Sequence, residues 1–310
     1  EGAEALVEHH QVGVLEQGAG QVEAAALAVA QPPARLADHL REPAGHSLEQ
    51  LAQAQLEGAR HLILVGTRPP VSFFAYPDKP SWLTPEGCEI HELAAPADDA
   101  ISALEALAED VGAPRDAATI QEKSVPEPGR GDLTPDTVAQ SIGAYMPEGA
   151  IVSDEAATSG LSLPAFTAGA PPHDWLSLTG GAIGQGLPLG TGAAVACPDR
   201  KVLCLQADGS AMYTLQALWT HARENLDITT VIYANRQYRI LQMELQRVGA
   251  AEPGPKAMDM LGIGRPDLDF VSLARGMGVE ADRAETIEDF NRLFSAAMKE
   301  RGPRLIEAMV

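Results

Sequence analysis

The residues of this chain best placed to do chemistry stand at the ends of two apolar runs. KVLCLQ is a continuous apolar run followed directly by Ala207, Asp208, Gly209 and Ser210. In an open parallel sheet, ligands gather beyond the carboxyl ends of strands, so such an aspartate is delivered to the binding crevice. Gly209 would let a ligand approach the main chain, and Ser210 offers a hydroxyl or a helix-terminal N–H. Alone, the tetrapeptide reads first as a turn and helix cap. One crossover helix later, DITTVIYAN ends in Ala234, Asn235, Arg236, Gln237 and Tyr238. Successive parallel strands joined by a crossover end at the same sheet edge, which makes the two loops neighbours. The Asp208 carboxylate, the Asn235 amide oxygen and the Gln237 backbone carbonyl then form a hard, all-oxygen set. It suits Mg2+, an ion that keeps water and takes further ligands from phosphates, and so predicts a diphosphate ligand.

Two upstream segments point to the same crevice. Thr179-Gly180-Gly181-Ala182-Ile183-Gly184-Gln185-Gly186 is rich in glycines that would let a ring approach the main chain. The same glycines would equally serve close helix packing. The run reads G-x-x-G-x-G from Gly181 and lacks the acidic residue after a second strand that a dinucleotide fingerprint needs. Ser153-Asp154-Glu155-Ala156-Ala157-Thr158 closes the short strand AIVSD. Thr158 is either a helix cap or a ligand contact.

Taken together, DGSxMYxLQALWTxAxxN followed by VIYANRQYRIL resembles the cofactor motif of the thiamine diphosphate enzymes related to acetolactate synthase and benzoylformate decarboxylase. The resemblance covers about residues 130 to 310, and residues 58 to 115 resemble the end of that family's central domain. It implies thiamine diphosphate and Mg2+ as cofactors, with Asp208, Asn235 and the Gln237 carbonyl holding the metal. Gly209, Ser210 and Thr158 would lie beside the diphosphate. The Gly181 carbonyl would accept a hydrogen bond from the cofactor's amino group, and Ile183 would be an apolar wedge beneath the bent cofactor. Tyr238 joins this cofactor-binding set, although Tyr213, Trp219 and Tyr238 also read as core or interface aromatics. Two positions depart from the family pattern, Ala207 for a glycine and Ala234 for an asparagine, and the first could narrow the loop.

These loops need a frame. From Leu133 onward the sequence alternates strands (AIVSD, WLSLT, KVLCLQ, DITTVIYAN, RLIEAMV) with helices, which predicts an α/β fold with a parallel sheet covered by helices on both faces. Helices are expected from Thr134-Pro135-Asp136 to about Tyr145, over GQGLPLGTGAAVA and LQALWTHAREN, from about Leu268 to Met277, and over TIEDFNRLFSAAMKE, where Thr286 and Asp289 suggest a capping box. Residues 239 to 265 read as a loop, an apolar lid. The proline- and glycine-containing stretch 116–132 reads as a linker. Before it, residues 58–115 form a partial central α/β domain, with strands HLILVG and CEIHELA and a helix over 99–111. Residues 1–57 read as a helical segment, through VEAAALAVA and LADHL. His9-His10 lacks partners at ligand spacing, so solvated or locally packed histidines are expected.

The chain of 310 residues has 22 Lys plus Arg against 43 Asp plus Glu, a formal charge of -21. That excess argues against nucleic acid and against an anionic membrane surface. No run reaches the length of a membrane span and no signal peptide opens the chain, so a cytoplasmic protein is expected. Cys88, Cys197 and Cys204 have no CxxC spacing and read as free thiols. The resemblance implies decarboxylation or carboligation of a small 2-oxo acid by a homodimer or homotetramer. It also implies a glutamate from an amino-terminal pyrimidine domain, for which residues 1–57 are too few; Glu16 is the nearest carboxylate. A fragment is therefore expected, completed by a partner chain supplying that domain and poorly active alone. The alternative is an inactive cofactor-binding or scaffold domain.

Overall fold

The computed structural model describes residues 13–16, 25–28 and 48–310, apart from 73, 74, 76–78, 117–119, 121 and 251. The chain divides into two compact units, residues 1–120 and 121–310.

In the first unit, β1 (Gly13–Glu16) pairs antiparallel with β2 (Ala25–Ala28). Over Ala25–Ala28, the described part of VEAAALAVA, this corrects the helical expectation, because a short apolar run does not distinguish strand from helix until it finds a partner. A helix does cover Leu48–Leu56; His9, His10 and LADHL lie outside the described residues. β3 (His61–Val65) runs parallel to β4 (Glu89–Ala94). The helix Ala100–Asp110 starts at Asp99, whose carboxylate accepts the Ser102 N–H at 3.1 Å. Its Ala100 and Ala103 pack on Ile63, Val65 and Ala94.

The second unit is built on six parallel strands in the order β6-β5-β7-β8-β10-β9. They are β5 (Ile151–Glu155), β6 (Asp174–Leu176), β7 (Val202–Ala207), β8 (Ile228–Tyr233), β9 (Glu280–Ala284) and β10 (Arg304–Ala308). Side chains alternate between faces along a strand, so two cores result. Leu203, Leu205, Val231 and Tyr233 join Ile142, Phe290 and Phe294 on one face. Val202, Cys204, Ile228 and Ile232 join Leu187, Leu218 and Phe270 on the other. Burial on both faces explains why these strands read as unbroken apolar runs.

The helix Pro135–Tyr145 begins with Thr134 and Thr137 in a reciprocal capping box. Thr286 caps Ile287–Ala297 by accepting the Asp289 N–H at 3.1 Å, while the Asp289 carboxylate accepts the Thr286 hydroxyl rather than completing a box. Part of the stretch read as linker is fastened to the second unit: Ser124 donates its N–H to the Gly169 carbonyl at 2.8 Å, and Gly129 to the Ser141 hydroxyl at 3.0 Å. Residues 239–265 contain helices Arg239–Arg247 and Pro255–Met260, where the sequence reads as a loop. β9 lies at the sheet edge, buries only Ala281 and Ala284, and pairs Arg283 with the buried Glu307 at 2.9 Å, so its polar sequence carries no strand signature. No helix among the described residues is long and apolar enough to cross a membrane.

Candidate functional site

The chain leaves β5 for β6 on one side, then crosses to β7 on the other, so the strand order reverses between β5 and β7. Open sheets bind ligands beyond the carboxyl ends of strands at such a switch point. Glu155 and Asp208 stand on either side of it, and Asn235 follows the adjoining β8.

Asp208 is 2% exposed. Its Oδ1 accepts the Gly209 N–H at 2.8 Å and its Oδ2 accepts the Arg236 N–H at 2.6 Å. The second bond ties the two expected metal-binding loops together, as two neighbouring strand ends should. Burial pushes the Asp208 pKa up, against the opposing pull of the N–H groups of Arg236 and Gly209. Among the described residues no Lys, Arg or His pairs with it; the Arg236 guanidinium instead meets Asp267 at 3.2 Å. Asn235 Oδ1 accepts the Gln237 N–H at 2.9 Å, and Arg236 takes φ +58 to make the bend. The loop is braced from behind, with Tyr238 N–H on the Leu261 carbonyl at 2.8 Å and Ile263 N–H on the Arg236 carbonyl at 3.0 Å.

A Cβ on Gly209 would strike the Tyr238 ring, so ring and glycine are in contact. The Ser210 hydroxyl donates to the Ala207 carbonyl at 3.0 Å. Ala207 itself has φ -72 and ψ 146, extended backbone open to any residue, and alanine is accommodated there without strain. Thr158 is half-buried in the turn Ala157–Gly160 that follows β5.

The glycine loop is held by a residue that the sequence reading passed over. Glu155 is 3% exposed. Its carboxylate accepts the N–H groups of Gly184 and of Gly186, the latter at 2.7 Å, and lies 3.3 Å from the Gln206 amide nitrogen. From the other side Thr214 donates its hydroxyl to the Gly184 carbonyl at 2.7 Å. A glutamate and a glutamine that close two apolar strands at the same register, Glu155 opposite Gln206, are the signal that could have found this clamp. Within the loop the Gly181 carbonyl accepts the Ile183 N–H at 2.9 Å, keeping one lone pair for a further donor. The Ile183 side chain stands 53% exposed, an apolar group presented outward.

A hard cation fits this donor set. A buried carboxylate such as Asp208, with no cationic partner among the described residues, carries a desolvation penalty that a divalent ion would relieve, and the oxygens at hand are of the type Mg2+ selects.

Residues 155–308 match the family model described as thiamine pyrophosphate enzyme, C-terminal TPP binding domain. The chain belongs to the thiamine diphosphate-dependent enzyme family and carries its cofactor-binding domain. It is 58% identical over 260 residues, 84% of its length, to a Mycobacterium tuberculosis (strain ATCC 25618 / H37Rv) protein named "Putative acetolactate synthase large subunit IlvX", of which it covers 50%. Over 209 residues, 66% of the chain, it is 33% identical to a benzoylformate decarboxylase of Pseudomonas aeruginosa, covering 38% of that protein. Among solved structures it is similar to the thiamine diphosphate-dependent 4-hydroxybenzoylformate decarboxylase of Rhodococcus jostii RHA1, with a TM-score of 0.66 and 27% identity over 84% of this chain and 50% of the other. The chain thus spans half or less of the length of these relatives.

Proposed function

We propose that the second unit grips the diphosphate end of thiamine diphosphate through one Mg2+ held by Asp208, Asn235 and the Gln237 carbonyl. Gly209, Ser210 and Thr158 lie beside the diphosphate in this reading, Gly181 and Ile183 serve the ring system, and Tyr238 closes the site over Gly209. The observation that carries it is the buried Asp208 carboxylate, without a cationic partner among the described residues and bonded to the loop that presents Asn235. When bound, the cofactor supplies the nucleophilic carbon and electron sink that decarboxylation of a 2-oxo acid requires. The chain's own residues position it: Glu155 and Thr214 fix the glycine loop, and the 261–263 segment fixes the metal loop.

The proposed activity is decarboxylation or carboligation of a small 2-oxo acid by an assembly, either of copies of this protein or with a partner chain. The assembly includes a pyrimidine-binding domain of the type common to the family. The 33% identity to a benzoylformate decarboxylase supports the substrate class. Calorimetry of the purified chain with thiamine diphosphate, with and without Mg2+, tests the binding half directly. Binding should require Mg2+ and should weaken roughly 100-fold, about 2.7 kcal/mol, in Asp208→Asn and in Asn235→Ala. Binding that ignores Mg2+ or both substitutions overturns the assignment, and no binding at all makes this domain a scaffold.

A further inference from the structure

We infer that His61, Glu89 and His91 form a second metal site, in the first unit, that takes Zn2+ or a similar transition-metal ion and clips β3 to β4. The parallel register sets His61 opposite Glu89 and Ile63 opposite His91. Side chains alternate along a strand, so Glu89 and His91 emerge on one face of β4, the face that His61 occupies on β3. His61 Nδ1 lies 3.0 Å from His91 Nε2 and 3.6 Å from Glu89 Oε2, and His91 Nε2 lies 3.8 Å from the same oxygen.

A tetrahedral ion with contacts of about 2.0–2.1 Å holds its ligand atoms about 3.3 Å apart. The three observed separations straddle that value, so closing on an ion needs shifts of only a few tenths of an ångström. Two imidazole nitrogens and one carboxylate oxygen are a zinc-type set, softer than the all-oxygen environment Mg2+ or Ca2+ prefers. His61 is the sheltered member, at 15% side-chain exposure, while His91 at 36% and Glu89 at 69% leave a route for the ion and for water as a fourth ligand. Among the described residues this is the one group of His, Cys, Asp and Glu side chains with metal-holding spacing.

The setting explains what the ion would accomplish. A two-stranded sheet is marginal by itself, and β3 and β4 are backed by the small clusters Leu56, Leu62, Leu64 and Ile63, Val65, Ala94. An ion bound only by the folded pair stabilises it by mass action.

The test is a titration of the full chain with Zn2+ against a chromophoric chelator, with Co2+ in parallel for the visible absorption of a four-coordinate site. One Zn2+ per chain is expected, with affinity lower by roughly 100-fold in His91→Ala and in Glu89→Gln. Both are partly or largely exposed positions, and circular dichroism checks that each variant keeps its fold. Asp208→Asn should leave Zn2+ binding unchanged, which separates this site from the proposed Mg2+ site. A chain that binds no stoichiometric Zn2+, or binding unmoved in both His91→Ala and Glu89→Gln, overturns the inference and leaves an ordinary hydrogen-bonded histidine pair beside a glutamate.

Discussion

A carboxylate buried at the end of a central strand must replace the hydration it loses. Glu155 does so with the N–H groups of Gly184 and Gly186 and the amide of Gln206. Its two oxygens are therefore the anchor for a loop whose outward product is Ile183. Glu155→Gln keeps the shape but turns one acceptor oxygen into an NH2 group that faces backbone donors. Leaving such a buried donor unmatched costs about 1–3 kcal/mol. The amides of Gly184 and Gly186 should exchange with solvent faster in this variant, and thiamine diphosphate should bind more weakly with the Mg2+ requirement retained. Unchanged exchange at both glycines would mean that the loop holds its shape without the carboxylate. Asp208 is likewise buried and accepts the N–H groups of Gly209 and Arg236, and burial pushes its pKa up. Both carboxylates accept N–H groups; those on Glu155 hold the glycine loop, while those on Asp208 tie it to the loop proposed to receive a cation.

At the scale of elements, the helix Gly186–Ala196 shows why its sequence is so rich in small residues. A Cβ on Gly186 would collide with Gln206 and Glu155, and one on Gly190 would collide with the Cys204 sulfur. The helix therefore rests directly on β5 and β7 along a glycine face, while Gly181 and Gly184 upstream shape the loop through positive φ. Gly190→Ala should lower stability by roughly 1–3 kcal/mol through overpacking. Adding Cys204→Ala removes the colliding sulfur and should recover part of the loss, so a denaturant-based double-mutant cycle should show clear coupling. Simple additivity would place the strain elsewhere. KVLCLQ and DITTVIYAN announced buried parallel strands, and a strand end carrying Asp208 or Asn235 needed no coordinates to be placed at the crevice. β9 could not be seen, because an edge strand with two buried alanines has no apolar period to detect. Helices 239–247 and 255–260 carry no clear signature either, since their scattered Met and Leu residues match a lid as well as a weakly apolar helix face. The His61, Glu89 and His91 group is invisible without the β3–β4 register, since nothing in the spacing of residues 61 and 89 says that they are opposite one another.

For the second unit as a whole, acid stability should turn on one buried histidine. His221 is 1% exposed, its Nε2 lies 2.8 Å from the Thr191 hydroxyl, and burial pushes its pKa down to about 4 from 6.5. The unfolded chain therefore takes up a proton below about pH 6.5 that the folded chain accepts only near pH 4. Stability is full above about 6.5, falls as the pH drops toward 4, and the loss approaches about 3 kcal/mol at about 1.4 kcal/mol per pH unit. Asp269 and Asp289 have pKa values held below 3.8, first by hydrogen bonds from Ser272 and Arg292 respectively, so their losses begin only as the pH falls below the ordinary carboxylate value. Asp208, with its pKa raised by burial, works in the opposite sense, since the folded state takes its proton first. The histidine contribution is isolated by comparison with His221→Gln, which keeps a hydrogen-bonding partner for Thr191 and cannot titrate. Urea midpoints measured from about pH 7 to about pH 4.5 should fall more steeply for the unsubstituted chain than for the variant, the two curves converging toward the acid end. Parallel curves across that window would show that His221 is protonated as easily inside the fold as outside it.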